Sequence, residues 1–199
     1  MYAAQQLLHQ QHPDVLGLQD PLLQRTHTFN IQRGQFVQCL NVADSHWITV
    51  SSIGCPPSVV RVYDSMAMPL TLSVKNVIAE IMHSEKDFHI QYVACQQQRG
   101  IDDCALFAIA NATTLCCGGN PATAVYHQAV MRQHLIEQKA LEPFPLLTSK
   151  RKRTKECYKE ETVAIYCICR MPYGHRKMVQ CTSCKNIHMK RQTEIKVRT

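Results

Sequence analysis

The chain has 199 residues, 45% of them hydrophobic, and a formal net charge of +7 at pH 7. This length fits one medium domain, or one domain with an appendage, and the apolar fraction is enough for a packed core. Because no stretch approaches the roughly 18 consecutive apolar residues of a membrane-spanning helix, the sequence predicts no transmembrane helix and no membrane partner.

Hydrophobic spacing predicts alternating strands and helices over the first part of the chain. Pro13 ends the first helix, because the residue before a proline avoids the helical region. The segment 104–116 is almost wholly apolar, which is typical of a buried helix. In chain order the predicted elements are a helix over 2–11, strands over 36–39, 47–53 and 59–63, a helix over 72–83, a strand over 90–94, and helices over 104–116 and 122–140.

The charge balance changes after residue 149. Up to that point the chain carries 8 Lys and Arg against 11 Asp and Glu, whereas the remainder carries 14 against 4. The basic run at 150–153 suits a nuclear import signal or a nucleic-acid contact, and a solvated linker explains it equally well. We expect a domain at 1–147, a basic linker at 148–162 and a small cysteine-rich segment at 163–199.

Cysteine usage bears on the compartment. The chain has 11 cysteines, an odd number, and its N-terminus shows no apolar signal segment. Both features argue against a secreted disulfide scaffold. We therefore expect a reduced, intracellular protein.

Cys104 stands at the head of the apolar segment 104–116. A thiol attacks carbonyl carbons as a thiolate, and a helix N-terminus and a nearby imidazole both favour that form. His46 is the candidate base, and Asp64, at the end of a β-branched segment, is the candidate residue that orients the imidazole. Gln98, together with the backbone N–H of Cys104, is the candidate donor to an oxyanion.

Each of these residues also has a simpler explanation. A cysteine that heads an apolar helix is usually a small buried hydrophobe, and a His-Trp pair at the start of a strand usually serves packing. An aspartate after a strand commonly forms an Asx turn, and a glutamine in a Gln-rich run is commonly a loop residue. Four such signals in one order and spacing favour catalysis.

The order of these residues, with Trp47 directly after His46, resembles the ubiquitin-like-protein protease (Ulp, SUMO-protease) family. The resemblance implies an α+β, papain-like cysteine protease fold with permuted chain order, a central sheet and flanking helices. It implies Cys104 as nucleophile, His46 as base, Asp64 as orienting residue and Gln98 as oxyanion-hole donor. Trp47 matches the family tryptophan that covers the tunnel for a Gly-Gly tail. The implied substrate is therefore a ubiquitin-like modifier or a polyprotein tail.

The chain departs from the family pattern at several points. Ala105 stands where the family has a glycine after the nucleophile, and its β-carbon lies where substrate and sulfur must approach, so slowed or abolished turnover is expected. The resemblance covers about residues 1–147, and the region before the catalytic residues is shorter than in the family. The local sequence, particularly Gly17-Leu18-Gln19 and the start of the 104–116 segment, is most similar to members carried by mobile genetic elements. The alternative is a catalytically inactive protease-fold remnant that binds a protein partner.

Closely spaced cysteines near the C-terminus have the spacing of zinc ligands. The pattern resembles the opening of a PHD-type finger, here truncated, because no cysteine follows that would complete the second site. We expect one zinc site with four thiolate ligands, or one in which the histidine replaces a cysteine. Catalysis itself is expected to need no cofactor. The candidate zinc ligands are Cys167, Cys169, Cys181, Cys184 and His188.

Overall fold

The structure, a computed structural model, describes residues 1–83, 87–137 and 157–166 and the short strands at 171–172, 178–180 and 187–189. Within these residues six strands form one mixed sheet and follow their chain order across it. The strands are β1 (Leu16–Gly17), β2 (Phe36–Val42), β3 (His46–Ser51), β4 (Val59–Tyr63), β5 (Phe88–Val93) and β6 (Cys157–Val163).

From β2 to β5 the sheet is built from two consecutive hairpins and one crossover, while β1 pairs parallel with β2 and β6 pairs antiparallel with β5. Strands β2, β3 and β4 pair antiparallel, whereas β4 and β5 are parallel and are joined by helix α3 (Leu72–Met82). A parallel pair needs such a crossover, because its second strand must start at the same end of the sheet as the first. The Thr71 side chain caps α3 by accepting a hydrogen bond from the Val74 backbone N–H at 3.3 Å.

Helices cover both faces of the sheet. Along β3, Ile48 and Val50 belong to the core cluster that contains α3. Thr49 faces the other side and donates a hydrogen bond to the carbonyl of Ala108 in helix α4 (Cys104–Cys116) at 2.7 Å. This alternation follows from the two-residue repeat of a strand and explains the alternating sequence that predicted β3. The α+β class, with a central sheet and flanking helices, is confirmed.

Helix α4 is buried along nearly its whole length, as its apolar sequence predicted. Its buried polar side chains have internal partners. Thr113 Oγ1 donates to the carbonyl of Ile109 at 2.8 Å, and Asn111 Oδ1 accepts from the Tyr126 hydroxyl at 3.1 Å. These bonds allow polar residues inside the core without an unsatisfied group.

The N-terminal region packs on the α4 side of the sheet. Helix α1 (Tyr2–Gln11) ends where Pro13 predicted, and Leu8 is buried against the core. Gln5 is 1% exposed, and its Oε1 accepts a hydrogen bond from the backbone N–H of Cys39 at 2.9 Å. The short helix α2 (Leu23–Thr26) follows β1.

Apart from small shifts in strand bounds and unpredicted short elements such as β1 and α2, the sequence prediction differs from the structure at two places. Helix α5 spans Gln128–Glu137, so it begins six residues later than the helix predicted over 122–140. The reason lies at Tyr126, whose backbone N–H donates to Gln96 Oε1 at 2.5 Å and whose carbonyl accepts from Gln96 Nε2 at 3.1 Å. A backbone held by a side chain in this way cannot join a helical ladder.

Strand β6 is the second difference. Residues 157–162, which we assigned to the linker at 148–162, pair antiparallel with β5, and Val163 is 6% exposed within the core beside α3. Farther along the chain the described residues form two two-stranded pairs, β7 (Ile165–Tyr166) with β8 (Met171–Pro172) and β9 (Met178–Gln180) with β10 (Ile187–Met189). No helix in the described part of the chain is long and apolar enough to cross a membrane.

Candidate active site

A tight turn delivers His46 to the end of the sheet. Ala43 and Asp44 have φ values of 53° and 58°, and the Ser45 backbone N–H donates to the Val42 carbonyl at 3.3 Å. Two successive positive φ values match the right-handed twist of a hairpin. His46 therefore becomes the first residue of β3, and its side chain is 2% exposed.

His46 and Asp64 form a buried pair. His46 Nε2 lies 2.6 Å from Asp64 Oδ1, and the two side chains are 2% and 3% exposed. A carboxylate only accepts hydrogen bonds, so we assign the ring proton to Nε2. The other ring nitrogen, Nδ1, is buried and has no hydrogen-bond partner among the described residues. The ring therefore keeps one nitrogen free to accept a proton.

Asp64 is held in place by the backbone that follows it. Its Oδ1 accepts from the Met66 N–H at 2.8 Å, and its Oδ2 accepts from the Met68 N–H at 2.7 Å. The simpler explanation of this aspartate, an Asx turn, thus holds together with the histidine contact. The turn fixes the carboxylate against the imidazole of His46.

Cys104 is the first residue of α4 and is 6% exposed. Its Sγ lies 4.0 Å from the carbonyl oxygen of Ser45, the residue before His46. The fold thus brings the sulfur beside the strand end that carries the candidate base.

Other described thiols have surroundings that disfavour ionisation. Burial raises the pKa of Cys39 and of Cys116 to about 12. Burial also raises the pKa of Cys55 and of Cys117, although Cys117 is exposed at the end of α4. These thiols stay protonated near neutral pH, because the protein interior penalises the thiolate.

Gln98 lies in the loop before α4 and is bound to the residue after Asp64. Its Oε1 accepts a hydrogen bond from Ser65 Oγ at 2.7 Å, and its Nε2 donates to the Gly100 carbonyl at 3.0 Å. The backbone N–H of Gln98 also donates to the Ser65 carbonyl at 2.9 Å. The predicted oxyanion donor is therefore attached to the Asp64 turn.

Trp47 is half-buried and lines a cavity of about 690 Å³. Three segments line this cavity among the described residues: α2 with the residues beside it, the turn at 43–44 with its flanking strand residues, and the start of α3. Cys104 is not part of this lining. The indole also packs against the core cluster that contains α4. The structure thus places Trp47 between the core and an open groove.

Gln128 was not predicted as a site residue. Its Oε1 accepts from the Arg99 N–H at 2.9 Å, and its Nε2 donates to Asp103 Oδ2 at 2.7 Å. Asp103 also pairs with Arg132 at 2.9 Å. Gln128 thereby ties the loop that follows Gln98 to the start of α4. No local signal marks this glutamine, since it belongs to a separate helix.

Gln97 and Cys95 were also absent from the predicted site. Both donate to the backbone carbonyl of Asp64, from Gln97 Nε2 at 3.0 Å and from Cys95 Sγ at 3.3 Å. Cys95 is 1% exposed. These bonds join the loop after β5 to the end of β4, and the neighbouring Gln98 was the only signal in this loop.

The predicted zinc ligands cannot be placed. Four of them lie outside the described residues, and of the fifth, in β10, only the backbone is described. Among the residues that the structure does describe, no three His, Cys, Asp or Glu side chains form a group that could hold a metal. The four undescribed ligands are Cys167, Cys169, Cys181 and Cys184, and the fifth is His188.

Comparisons with known proteins bear on the fold. No family model and no curated protein matches the chain. A solved structure of the SUMO protease Ulp1, with its catalytic cysteine oxidised to a sulfenic acid, matches 68% of this chain and 72% of its own, at 14% identity and a TM-score of 0.50. Ulp1 with the cysteine oxidised to a sulfinic acid matches 66% and 70%, at 12% identity and a TM-score of 0.46.

A third solved structure, the C-terminal Ulp1 protease domain in complex with Smt3, the yeast ortholog of SUMO, matches 60% of this chain and 65% of its own. Its identity is 13% and its TM-score is 0.44. At 14% identity, the first match concerns the fold. The chain is thus similar in fold to the Ulp1 protease, a mixed sheet with flanking helices.

Proposed function

We propose that the protein is a cysteine-type peptidase or isopeptidase that cleaves after the C-terminal tail of a ubiquitin-like modifier. The observation that carries this proposal is the buried His46–Asp64 pair. The His46 Nδ1 has no hydrogen-bond partner among the described residues, and the Cys104 sulfur lies beside Ser45, the residue before His46. Fold similarity to a SUMO protease supports it. In this proposal the chain has the papain-like arrangement in its permuted order, with histidine first and cysteine last.

The reaction proceeds through a thioester. His46 Nδ1 takes the proton of the Cys104 thiol, and the thiolate attacks the carbonyl carbon at the end of the modifier. The tetrahedral intermediate carries its charge on oxygen, which Gln98 Nε2 and the Cys104 N–H stabilise. The C–N bond then breaks, and the imidazolium returns its proton to the leaving amine. Water, deprotonated by His46, hydrolyses the thioester and restores the thiol.

Trp47 supports the choice of an extended tail as substrate. Its half-buried indole borders the groove beside the 43–44 turn, and a flat aromatic surface suits the backbone of small residues such as glycine. A polyprotein tail with the same ending would fit equally. From the local sequence resemblance we also propose that the protein is a protease of the kind carried by mobile genetic elements.

The test uses SUMO and ubiquitin that each carry a C-terminal vinyl sulfone. The wild type should form a covalent adduct with at least one of them, and Cys104→Ala should not. Cys117→Ser is the matched control, because it removes an exposed thiol at the far end of α4. Equal labelling of the wild type and Cys104→Ala would contradict the proposal. Binding of a modifier with no adduct and no hydrolysis would instead identify an inactive, protein-binding remnant.

We also propose that the C-terminal segment binds zinc, on the strength of its cysteine spacing alone. The full chain, purified without chelator, should contain about one zinc ion, and replacing Cys181 and Cys184 by serine should remove it. Elemental analysis measures both. An unchanged zinc content in the variant would overturn the assignment. A nuclear location and a nucleic-acid contact through the basic run stay proposals of the same kind.

A further inference from the structure

Ser65 is the buried link between the Asp64 turn and Gln98. The residue is 3% exposed, and its hydroxyl donates to Gln98 Oε1 at 2.7 Å. Its carbonyl accepts from the backbone N–H of Gln98 at 2.9 Å. Two hydrogen bonds therefore hold both the backbone and the side chain of Gln98 against the end of β4.

The direction of the Gln98 amide matters, because its two ends have the same shape and opposite hydrogen-bonding character. A hydroxyl can donate or accept, so Ser65 by itself does not determine which end faces it. The Gly100 carbonyl only accepts, and the Gln98 nitrogen donates to it at 3.0 Å. With the nitrogen directed there, the amide oxygen faces Ser65, and the hydroxyl proton must point at that oxygen.

This arrangement leaves one N–H of the amide available as a donor. The Nε2 group carries two protons, and the Gly100 carbonyl takes one of them. Among the described residues the structure shows no acceptor for the second. A hydrogen bond to the amide oxygen also polarises the group and strengthens its N–H donors.

The same loop is held near the nucleophile from the other side. Gln128 joins the Arg99 N–H to the Asp103 carboxylate, so the residues on either side of the loop cannot separate freely. Ser65 and Gln128 together clamp the segment between Gln98 and Cys104. Gln98 is thereby restrained both at its amide and at the following residue.

We propose that Ser65 is a positioning residue that holds the Gln98 amide with its nitrogen toward the reaction intermediate. The inference rests on the proposed function, in which Gln98 stabilises the oxyanion. Without the hydroxyl, the amide oxygen loses the bond that restrains it, and the side chain can move out of the position in which its nitrogen faces the developing negative charge. The consequence falls on the transition state more than on substrate binding.

The kinetic test is a double-mutant cycle on hydrolysis of a modifier–fluorophore conjugate. Ser65→Ala should lower kcat about tenfold with little change in KM, and Gln98→Ala should lower it about a hundredfold. In the Gln98→Ala background, Ser65→Ala should have no further effect, because the group it positions is gone. An undiminished tenfold loss in that background would overturn the proposal.

Alkylation by iodoacetamide separates positioning from general damage, since that displacement forms no oxyanion. Its rate at Cys104 should be the same in Ser65→Ala and the wild type. Ser51→Ala is the matched control, since Ser51 is a buried serine, 1% exposed, that donates to the Phe36 carbonyl at 2.9 Å in another part of the sheet. It should lower stability without a selective loss of kcat. Slower alkylation of Ser65→Ala would show damage to the nucleophile and contradict the proposal.

A measurement without turnover decides the point even if the proposed activity fails. The two side-chain N–H resonances of Gln98, assigned by their loss in Gln98→Ala, should be well separated in the ¹⁵N–¹H spectrum of the wild type. In Ser65→Ala they should move toward the positions of exposed glutamines. Resonances unchanged by Ser65→Ala would overturn the inference, and absent modifier hydrolysis with changed resonances would overturn the proposed function alone.

Discussion

The contact between His46 and Asp64 is the most constrained feature among the single residues of the site. Both side chains are almost completely buried, and the carboxylate accepts two backbone N–H bonds besides the ring. Removal of one partner from such a pair leaves an uncompensated polar group inside the protein. We therefore expect the pair to be sensitive even to isosteric substitutions, which keep the shape of a side chain and change its hydrogen bonding.

Asp64→Asn tests this dependence. The asparagine oxygen can still accept one backbone hydrogen bond. The asparagine NH₂ group, however, donates to His46 Nε2 and so favours the tautomer that carries the ring proton on Nδ1. We expect kcat/KM for a modifier–fluorophore conjugate to fall by roughly 10²- to 10⁴-fold, with an unchanged far-UV circular dichroism spectrum. A loss smaller than threefold would show that the carboxylate does not orient the base.

Ala105 is the second single residue with a specific expectation. It lies half-buried directly after Cys104, in the first turn of α4, where the resembling family has glycine. Ala105→Gly should raise kcat/KM several-fold and lower the free energy of unfolding by roughly 0.5–1 kcal/mol, because glycine weakens a helix. Steady-state kinetics and urea unfolding measure the two effects. An unchanged or lower kcat/KM would show that the methyl group does not obstruct the substrate.

Among the elements, β6 is attached to the core by a polar cluster on β5 and α3. Lys75 donates to Glu161 Oε1, and the Tyr92 hydroxyl donates to Glu161 Oε2 at 2.9 Å. Lys159 Nζ lies 4.7 Å from the centre of the Tyr92 ring. Burial alone would raise the pKa of Glu161, but the bonds from Lys75 and Tyr92 and the attraction of Lys75 and Lys159 hold it below its ordinary value.

A lowered pKa gives this cluster a definite pH dependence. The folded protein binds fewer protons at Glu161 than the unfolded chain does, so the contact adds stability above about pH 4.3 and loses it as the pH falls through the folded pKa. Glu161→Gln should lower the free energy of unfolding by about 1–2 kcal/mol at pH 7 and by nearly nothing in acid, at a pH below the folded pKa of Glu161.

Urea unfolding at the two pH values measures this difference. Glu160→Gln is the matched control on the same strand, because Glu160 is exposed, its bond to Gln91 is 3.3 Å long and its contact with the exposed His89 ring is 3.6 Å. It should change the free energy of unfolding by less than about 0.5 kcal/mol. A loss for Glu161→Gln that persists undiminished in acid would contradict the electrostatic explanation.

Considered as one body, the protein completes its sheet with residues from beyond the basic run. Strand β6 covers the edge of β5 that would otherwise be open, and Val163 fills a position in the core beside α3. An uncovered edge exposes backbone donors and acceptors and invites pairing with other chains. The part of the chain that we assigned to the linker and tail therefore contributes to the stability of the domain.

Truncation after residue 156 tests this contribution. We expect the shortened chain to lose at least about 3 kcal/mol of unfolding free energy, from the burial of Val163 and the Glu161 contacts, and to aggregate more readily. Truncation after residue 166, which keeps β6, should cost less. Urea unfolding and light scattering compare the three chains. Equal urea midpoints for the full chain and the chain that ends at residue 156 would show that β6 does not stabilise the core.

Local patterns were sufficient to predict most elements. Apolar spacing located α3 to within one residue, and the near-continuous apolar run located α4 at its observed bounds, Cys104–Cys116. The candidate residues His46 and Asp64 were found because each stands at the end of a recognisable strand. These features depend on neighbours within a few positions, which is the range over which helix and strand periods act.

Contacts between segments that are distant in the chain could not be predicted from these local patterns. The late start of α5 depends on Gln96 binding the Tyr126 backbone, and the place of β6 depends on β5 having an open edge. The Ser65–Gln98 bond likewise exists only because the end of β4 lies beside the loop after β5. Sequence periodicity determines which face of an element is apolar, but strand order and side-chain partners follow from packing in three dimensions, where residues far apart in the chain compete for the same space.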